Sequence, residues 1–254
     1  MDSNNPSSNY EEKVIESFSN YARSYDRYAH LQKSMAERLA SYLPEKKSSH
    51  ILELGCGTGV FTRHLLTLPI KKLTLNDISP AMIDILKSRL EIPSNTNFLI
   101  GNAENIPLGK ADLICANAVF QWFQEPEKSL FHLKKTLAKN GTLLFSTFGL
   151  ETLKEFRQAA NLKSPINLHS LKQWKTYIKK TGFTLNRFDE EKRKIFSPNT
   201  MNLIKNLQQI GAAPIKMLKV GGLRKLIRDY DKHFSTNQGV YATWELFYFS
   251  ISNK

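Results

Sequence analysis

Apolar and polar positions follow two rhythms along this chain of 254 residues. Short apolar runs at 51–54, 73–76, 97–100, 111–116 and 142–147 read as strands, and stretches with apolar residues three and four apart separate them. Val14 to Tyr28 places Phe18, Tyr21, Ala22 and Tyr25 at helical spacing. Leu31 to Leu43 carries Met35, Leu39 and Leu43 on one stripe, and Pro44 stops it. A helix is predicted over 60–68, and another starts with Ser79 as N-cap and Pro80 in the first turn. A third, 126–138, meets a stop at Asn140-Gly141. Strands alternating with helices predict parallel pairing and an α/β doubly wound sheet.

Beyond the fifth strand the pattern thickens. Glu151 to Asn161 and Ser170 to Thr181 read as helices, the second with Leu171, Trp174 and Ile178 inward. A strand is predicted from Phe183 toward Phe196, two amphipathic helices within 198–234 split at 211–214, and a last strand from Tyr241 to Ile251 that is apolar on both faces. Helices inserted between the last two strands are expected to lie over the carboxyl ends of the sheet, as a lid. The plainer alternative is that they extend the core. Residues 1–10 read as a frayed tail.

The candidate chemistry starts at Ile51 to Gly59, I-L-E-L-G-C-G-T-G, a buried strand running into a turn with three glycines in five positions. Gly55, Gly57 and Gly59 permit close backbone approach there, and the next helix points free N–H groups over the turn. A glycine turn alone fits several nucleotide folds. Its spacing sharpens it: Asp77 stands eighteen positions after Gly59, at the end of the next strand, where an acid suits the two ribose hydroxyls of an adenosine-containing ligand.

E-L-G-C-G-T-G, N-D-I-S-P-A-M (76–82) and G-N-A-E-N-I-P-L (101–108) resemble the first three motifs of class I S-adenosylmethionine-dependent methyltransferases. The resemblance implies a Rossmann-like, seven-stranded sheet with the last strand antiparallel. It also implies one domain over 1–254, with a helical cap (10–44), a cofactor core (49–147) and an acceptor region with lid (148–254). Glu53, Gly55, Gly57 and Gly59 are expected under the methionine half of the cofactor, with Glu53 holding a backbone amide or, through water, the ligand ammonium. The plainer reading of Glu53 is a helix-capping acid. Asp77 is expected to take the ribose, Ile78 and Met82 to pack on adenine, and Asn102, Ala103 and Glu104 to sit at the adenine edge. Asn117 is expected to line the methionine end.

F-S-N-Y-A-R-S-Y-D-R-Y-A-H-L-Q (18–32), N-A-V-F-Q-W-F-Q-E-P-E-K-S-L (117–130), F-S-T-F-G-L-E-T-L-K-E-F (145–156) and N-L-Q-Q-I-G-A (206–212) are similar to the malonyl-acyl-carrier-protein O-methyltransferases of biotin synthesis. That resemblance implies methyl transfer to the free carboxylate of a malonyl thioester, on acyl carrier protein or coenzyme A. A malonyl carboxylate is ionised at neutral pH, so no general base is expected. Tyr25 is the candidate to close over the cofactor, and Gln121, Trp122 and Phe123 the candidate acceptor wall, with core packing the alternative for the aromatics. His169, Lys172, Lys205 and Arg224 are all eligible to receive the malonyl carboxylate, and the sequence does not rank them.

Charge changes the picture of the partner. The net +13 splits into +2 over residues 1–150 (17 basic, 15 acidic) and +11 over 151–254 (19 basic, 8 acidic). A basic C-terminal part suits an acidic partner, carrier protein or nucleic acid, or is merely a solvated face. Nucleic acid is disfavoured: N-A-V-F-Q-W stands where base-amino methyltransferases carry N/D-P-P-[YFW], and no RNA-binding module is added. A methyltransferase of another small acid or quinone precursor remains open. No apolar stretch reaches the roughly 20 residues of a membrane span, no signal peptide is present, and no metal-ligand spacing appears. Cys56 and Cys115 are expected as small buried hydrophobes in a reduced, cytoplasmic protein.

Overall fold

The computed structural model describes residues 6–44, 49–160, 166–211 and 220–254. Seven strands form one sheet in the order β3-β2-β1-β4-β5-β8-β6: β1 His50–Leu54, β2 Lys72–Asp77, β3 Asn97–Ile100, β4 Ala111–Asn117, β5 Leu137–Phe148, β6 Thr184–Ser197 and β8 Gly239–Ser252. The two-residue β7, Ser235–Thr236, pairs only with the start of β8. β1 to β5 pair in parallel, while β8 runs antiparallel to both β5 and β6. The doubly wound sheet with one reversed strand is the expected one.

Helices cover both faces, because the central strands are apolar on both. On one side lie α3 (His30–Ala40), the short α4 (Thr62–Leu65), α5 (Pro80–Arg89), α7 (Lys154–Ala160), α9 (Thr200–Gln209) and α10 (Val220–Phe234), with Leu39, Leu65, Leu86, Phe156, Leu207 and Tyr230 in a shared core. On the other lie α6 (Pro126–Thr136) and α8 (Leu171–Lys180), burying Leu130, Leu133, Trp174 and Ile178 against Phe120, Phe145 and Phe249. Two N-terminal helices, α1 (Pro6–Tyr21) and α2 (Tyr25–Tyr28), sit above the sheet's carboxyl end and complete the layout.

The Ser79 cap is as expected, and the structure adds one at Ser170. Ser79 accepts the Met82 N–H at the start of α5, and Ser170 forms a reciprocal capping box with Gln173 at the start of α8. Ser170→Ala is expected to lower stability by about 1 kcal/mol, read from urea unfolding.

Several boundaries differ from the expectation. The tail reading fails from Pro6 onward, since α1 begins there; residues 1–5 lie outside the described residues. The predicted 14–28 helix breaks between Tyr21 and Tyr25, where Ser24 turns to donate to Gln209 on α9. The helix predicted over 60–68 shrinks to α4, because Pro69 disfavours helical angles at Leu68. Asn140-Gly141 does not stop a helix: α6 ends at Thr136, and the pair sits inside β5, with Asn140 at φ 61° and its N–H on the Asn253 carbonyl. Most of the 211–214 break, together with Asn161, lies outside the described residues.

Candidate active site

The strand order reverses between β1 and β4, and ligands of open α/β sheets bind where that happens, outside the carboxyl ends. A cavity of 780 Å³ opens there. Its floor is built from Gly55, Gly57, Asp77, Ile78 and Met82, then Asn102, Ala103 and Glu104, then Asn117, Ala118 and Val119. Tyr25, Trp122 and Phe123 line it as well.

Asp77 holds the floor together. One carboxylate oxygen accepts the Gly57 N–H at 2.8 Å and the other accepts the Ser79 N–H at 2.8 Å. Burial pushes its pKa up to about 6, and the N–H groups of Ser79, Gly57 and Ile78 pull the other way. Each oxygen keeps a lone pair for a hydroxyl donor. Gly57, at φ 53°, has nothing within 4 Å of where a Cβ would sit, so any side chain there would project into ligand space.

Three expected residues do not line the cavity. Glu53 is 1% exposed and its carboxylate accepts from the Thr62 hydroxyl at 2.7 Å, the first residue of α4. The bond ties the acid to the next helix through a side chain without capping it, and burial lifts its pKa to about 8. Gly59 serves packing, since a Cβ would stand 2.5 Å from Leu90 Cδ1. Gln121 turns inward: its amide donates to the Ala118 carbonyl at 2.6 Å and its oxygen accepts from Thr147. It supports Ala118, a non-glycine residue at φ 54° beside the cavity, instead of forming the wall.

The adenine-edge residues are committed to the protein as well. Asn102 Oδ1 accepts the Glu104 N–H at 3.0 Å, and its amide donates to Glu11 at 3.2 Å. Glu104 accepts the N–H groups of Gln124 and Glu125 and the Ser129 hydroxyl, so it ties the loop after β3 to the entry of α6. Asn117 donates to the Gln32 carbonyl at 3.1 Å. None of His169, Lys172, Lys205 and Arg224 lines the cavity.

The roof was missed in the sequence. Tyr10, Glu11, Val14, Ile15 and Phe18, all on α1, line the cavity opposite the glycine turn. Phe18 packs edge-on against Trp122 with centroids 5.2 Å apart, and the Tyr10 hydroxyl reaches the Trp122 carbonyl at 3.5 Å. Burial drives the Tyr10 phenol up to about 12 and holds the Tyr25 phenol well above its ordinary range, so both are neutral. The signal was available: Tyr10, Val14 and Phe18 stand four apart.

A doubly wound sheet with a reversed strand, a glycine turn and a ribose-type acid at the switch point define an S-adenosylmethionine-dependent methyltransferase, and residues 25–187 match the sequence model of the methyltransferase domain family. The fold matches the YcgJ protein of Bacillus subtilis (TM-score 0.66, 12% identity, 87% of this chain and 98% of that one). It also matches the S-adenosylmethionine complex of phosphoethanolamine N-methyltransferase 2 of Haemonchus contortus (TM-score 0.54, 16% identity, 85% of this chain and 51% of that one). A malonyl-[acyl-carrier protein] O-methyltransferase of Ilyobacter polytropus is 35% identical over 234 residues, covering 89% of this chain and 87% of the relative. Its counterpart from a Paenibacillus species is 31% identical over 253 residues, covering 88% and 92%. The chain belongs to the malonyl-[acyl-carrier protein] O-methyltransferase family.

Among the described residues no group of acids, histidines and cysteines is arranged to hold a metal, and no helix is long and apolar enough to cross a membrane. Both cysteines are buried and free, as expected.

Proposed function

We propose that this enzyme methylates the free carboxylate of malonyl-acyl carrier protein, giving the malonyl methyl ester that primes pimeloyl synthesis for biotin. The identity to malonyl-[acyl-carrier protein] O-methyltransferases over about nine tenths of the chain carries this reading. The cavity fits the cofactor: the Asp77 oxygens have free lone pairs for ribose hydroxyls, and the Gly57 backbone leaves space a side chain would fill. Ile78 and Met82 offer an apolar surface for adenine.

S-adenosylmethionine supplies an electrophilic methyl group on a positively charged sulfur. The chain's own task is to bind, orient and dehydrate. An ionised carboxylate attacks without losing a proton, so alignment in a dry pocket is the main catalytic means. Tyr25, Trp122 and Phe18 close the pocket with apolar surface. Ala118, held by Gln121 and Ser146, fixes the end of β4 beside the acceptor space.

The assay that tests this uses labelled S-adenosylmethionine with malonyl-acyl carrier protein, malonyl-coenzyme A and free malonate. Methyl ester on the carrier is expected. Activity on a free acid with none on the carrier would overturn it.

Steering of the acidic carrier belongs to the same proposal. Lys172 and Lys175 on α8, Lys205 on α9, and Arg224, Lys225 and Arg228 on α10 are exposed. Lys216 and Lys219 lie outside the described residues. Steering acts mainly on association rate and is screened over roughly 8 Å at physiological salt. kcat/KM for the carrier substrate is therefore expected to fall steeply from low to high salt, and much less for a small malonyl thioester. Equal slowing of both substrates would leave these residues a solvated face. The described helices between β6 and β8 pack in the core, in line with the plainer reading that they extend it. Among the described residues none of α9 or α10 lines the cavity, and α9 instead braces the cap through Gln209 and Ser24.

A further inference from the structure

The cavity has a floor and a roof that come from different parts of the chain. The floor belongs to the sheet and its loops, and the roof to α1 with Tyr25 of α2. A ligand held between them exchanges faster when the roof lifts. The bonds that cross this seam therefore bear on exchange, and two of them meet on one side chain outside the cavity lining.

That side chain is Asp26. One of its oxygens accepts from the hydroxyl of Thr58, the residue between Gly57 and Gly59 of the cofactor turn. The other faces the guanidinium of Arg89 at the end of α5, which also donates to the Arg23 carbonyl at 3.3 Å. The Asp26 backbone carbonyl accepts from Lys33 of α3 at 2.7 Å, so the residue is tied down from the cap side as well. The preceding residue, Tyr25, is the one that reaches into the cavity. Other described ties across the seam, Ser19 with Ser79, Glu11 with Asn102 and Tyr10 with the Trp122 carbonyl, are single hydrogen bonds.

We propose that Asp26 is a positioning residue that latches the N-terminal cap onto the glycine turn, so that it sets the rate of cofactor exchange and seats Tyr25 over the cavity. The two halves of the latch differ in strength. Thr58 is 1% exposed, so its bond to a carboxylate is shielded from water and salt. The Asp26 and Arg89 side chains are 20% and 35% exposed, and a pair so placed contributes little by itself. The Thr58 half therefore dominates.

The test is release of labelled S-adenosylhomocysteine, chased with unlabelled ligand, alongside kcat and KM for the cofactor. It needs no malonyl acceptor, so its failure is separable from failure of the substrate assignment. D26A and T58V are expected to speed release by about tenfold or more, the loss of a hydrogen bond to a charged group. D26N keeps an oxygen for Thr58, and R89A spares the Thr58 bond. Both are expected to speed release only about two- to threefold. The double variant D26A/T58V is expected to release no faster than D26A alone, because that change already removes the Thr58 bond. A residue that only stabilises the fold would lower the melting temperature and leave release unchanged. Release within twofold of the parent in folded D26A, or in T58V should D26A not fold, overturns the proposal. Additive effects in the double variant overturn it equally.

Discussion

Asp77→Ala is expected to weaken cofactor binding by roughly 10- to 150-fold, about 1.5–3 kcal/mol for hydrogen bonds to a charged group. The carboxylate is buried, already shared between Gly57 and Ser79, and faces the cavity. Alanine removes the ribose acceptor and also frees the Gly57 N–H, so the turn itself loosens. The same residue gives a pH signature. Its pKa stands at about 6 before ligand arrives, raised chiefly by burial. Hydroxyl donors favour the charged form, so below pH 6 a proton must leave before the ribose can bind. Affinity is therefore expected to be flat above about pH 6 and to fall by up to tenfold per pH unit below it. Glu53, at about 8, titrates outside that window. Without ligand the sign is opposite for stability: an acid with a raised folded pKa makes the fold less stable as pH rises from 3.8 through 6. Calorimetry with S-adenosylhomocysteine from pH 5 to 8 checks the affinity, and ligand-free thermal melts from pH 4 to 7 check the stability. Unchanged affinity in Asp77→Ala sinks the ribose assignment.

Tyr25→Ala is expected to lower turnover by well over tenfold, more than about 1.4 kcal/mol of barrier, in a protein that still folds. Tyr25 lines the cavity and packs against Phe18, with centroids 6.3 Å apart, where the cap meets the site. Removing the ring opens the seam to water and lets the reacting groups drift, and small misplacements are expensive in a reaction driven by alignment. Its phenol stays neutral at working pH, so the expected loss comes from shape and dryness, with no proton transfer involved. Steady-state rates with a thermal melt decide it. Near-normal turnover in a stably folded variant would reduce Tyr25 to a packing residue.

Gln121 and Glu53 show where reading from residue type stopped. A glutamine beside aromatic residues at the end of a strand suggests an acceptor wall, and an acid inside an apolar strand suggests a ligand. Both side chains instead satisfy nearby protein groups, the Ala118 carbonyl and the Thr62 hydroxyl. Which way such a side chain turns depends on which partner is nearer, and those partners are supplied by the loop and helix that follow.

Local chemistry was enough for the core. Alternating apolar runs and helical stripes, the Ser79 cap, and the glycine turn eighteen positions before Asp77 specify a parallel sheet with a nucleoside-type floor. Each of those signals acts within one element or between adjacent ones. The roof was different. Tyr10, Val14 and Phe18 carry a helical stripe, but nothing in their spacing says that it lies on Trp122, more than a hundred positions away. Asp26 likewise acquires its meaning only from Thr58 and Arg89, at separations of 32 and 63 positions. The sequence by itself determined the parallel strands and the glycine turn with its acid, because these follow from periodicity and turn chemistry, while the rest of the floor was implied by the family resemblance. The closure of the site was decided by tertiary structure, because contacts between distant surfaces depend on how finished elements pack and leave no periodic trace in the chain.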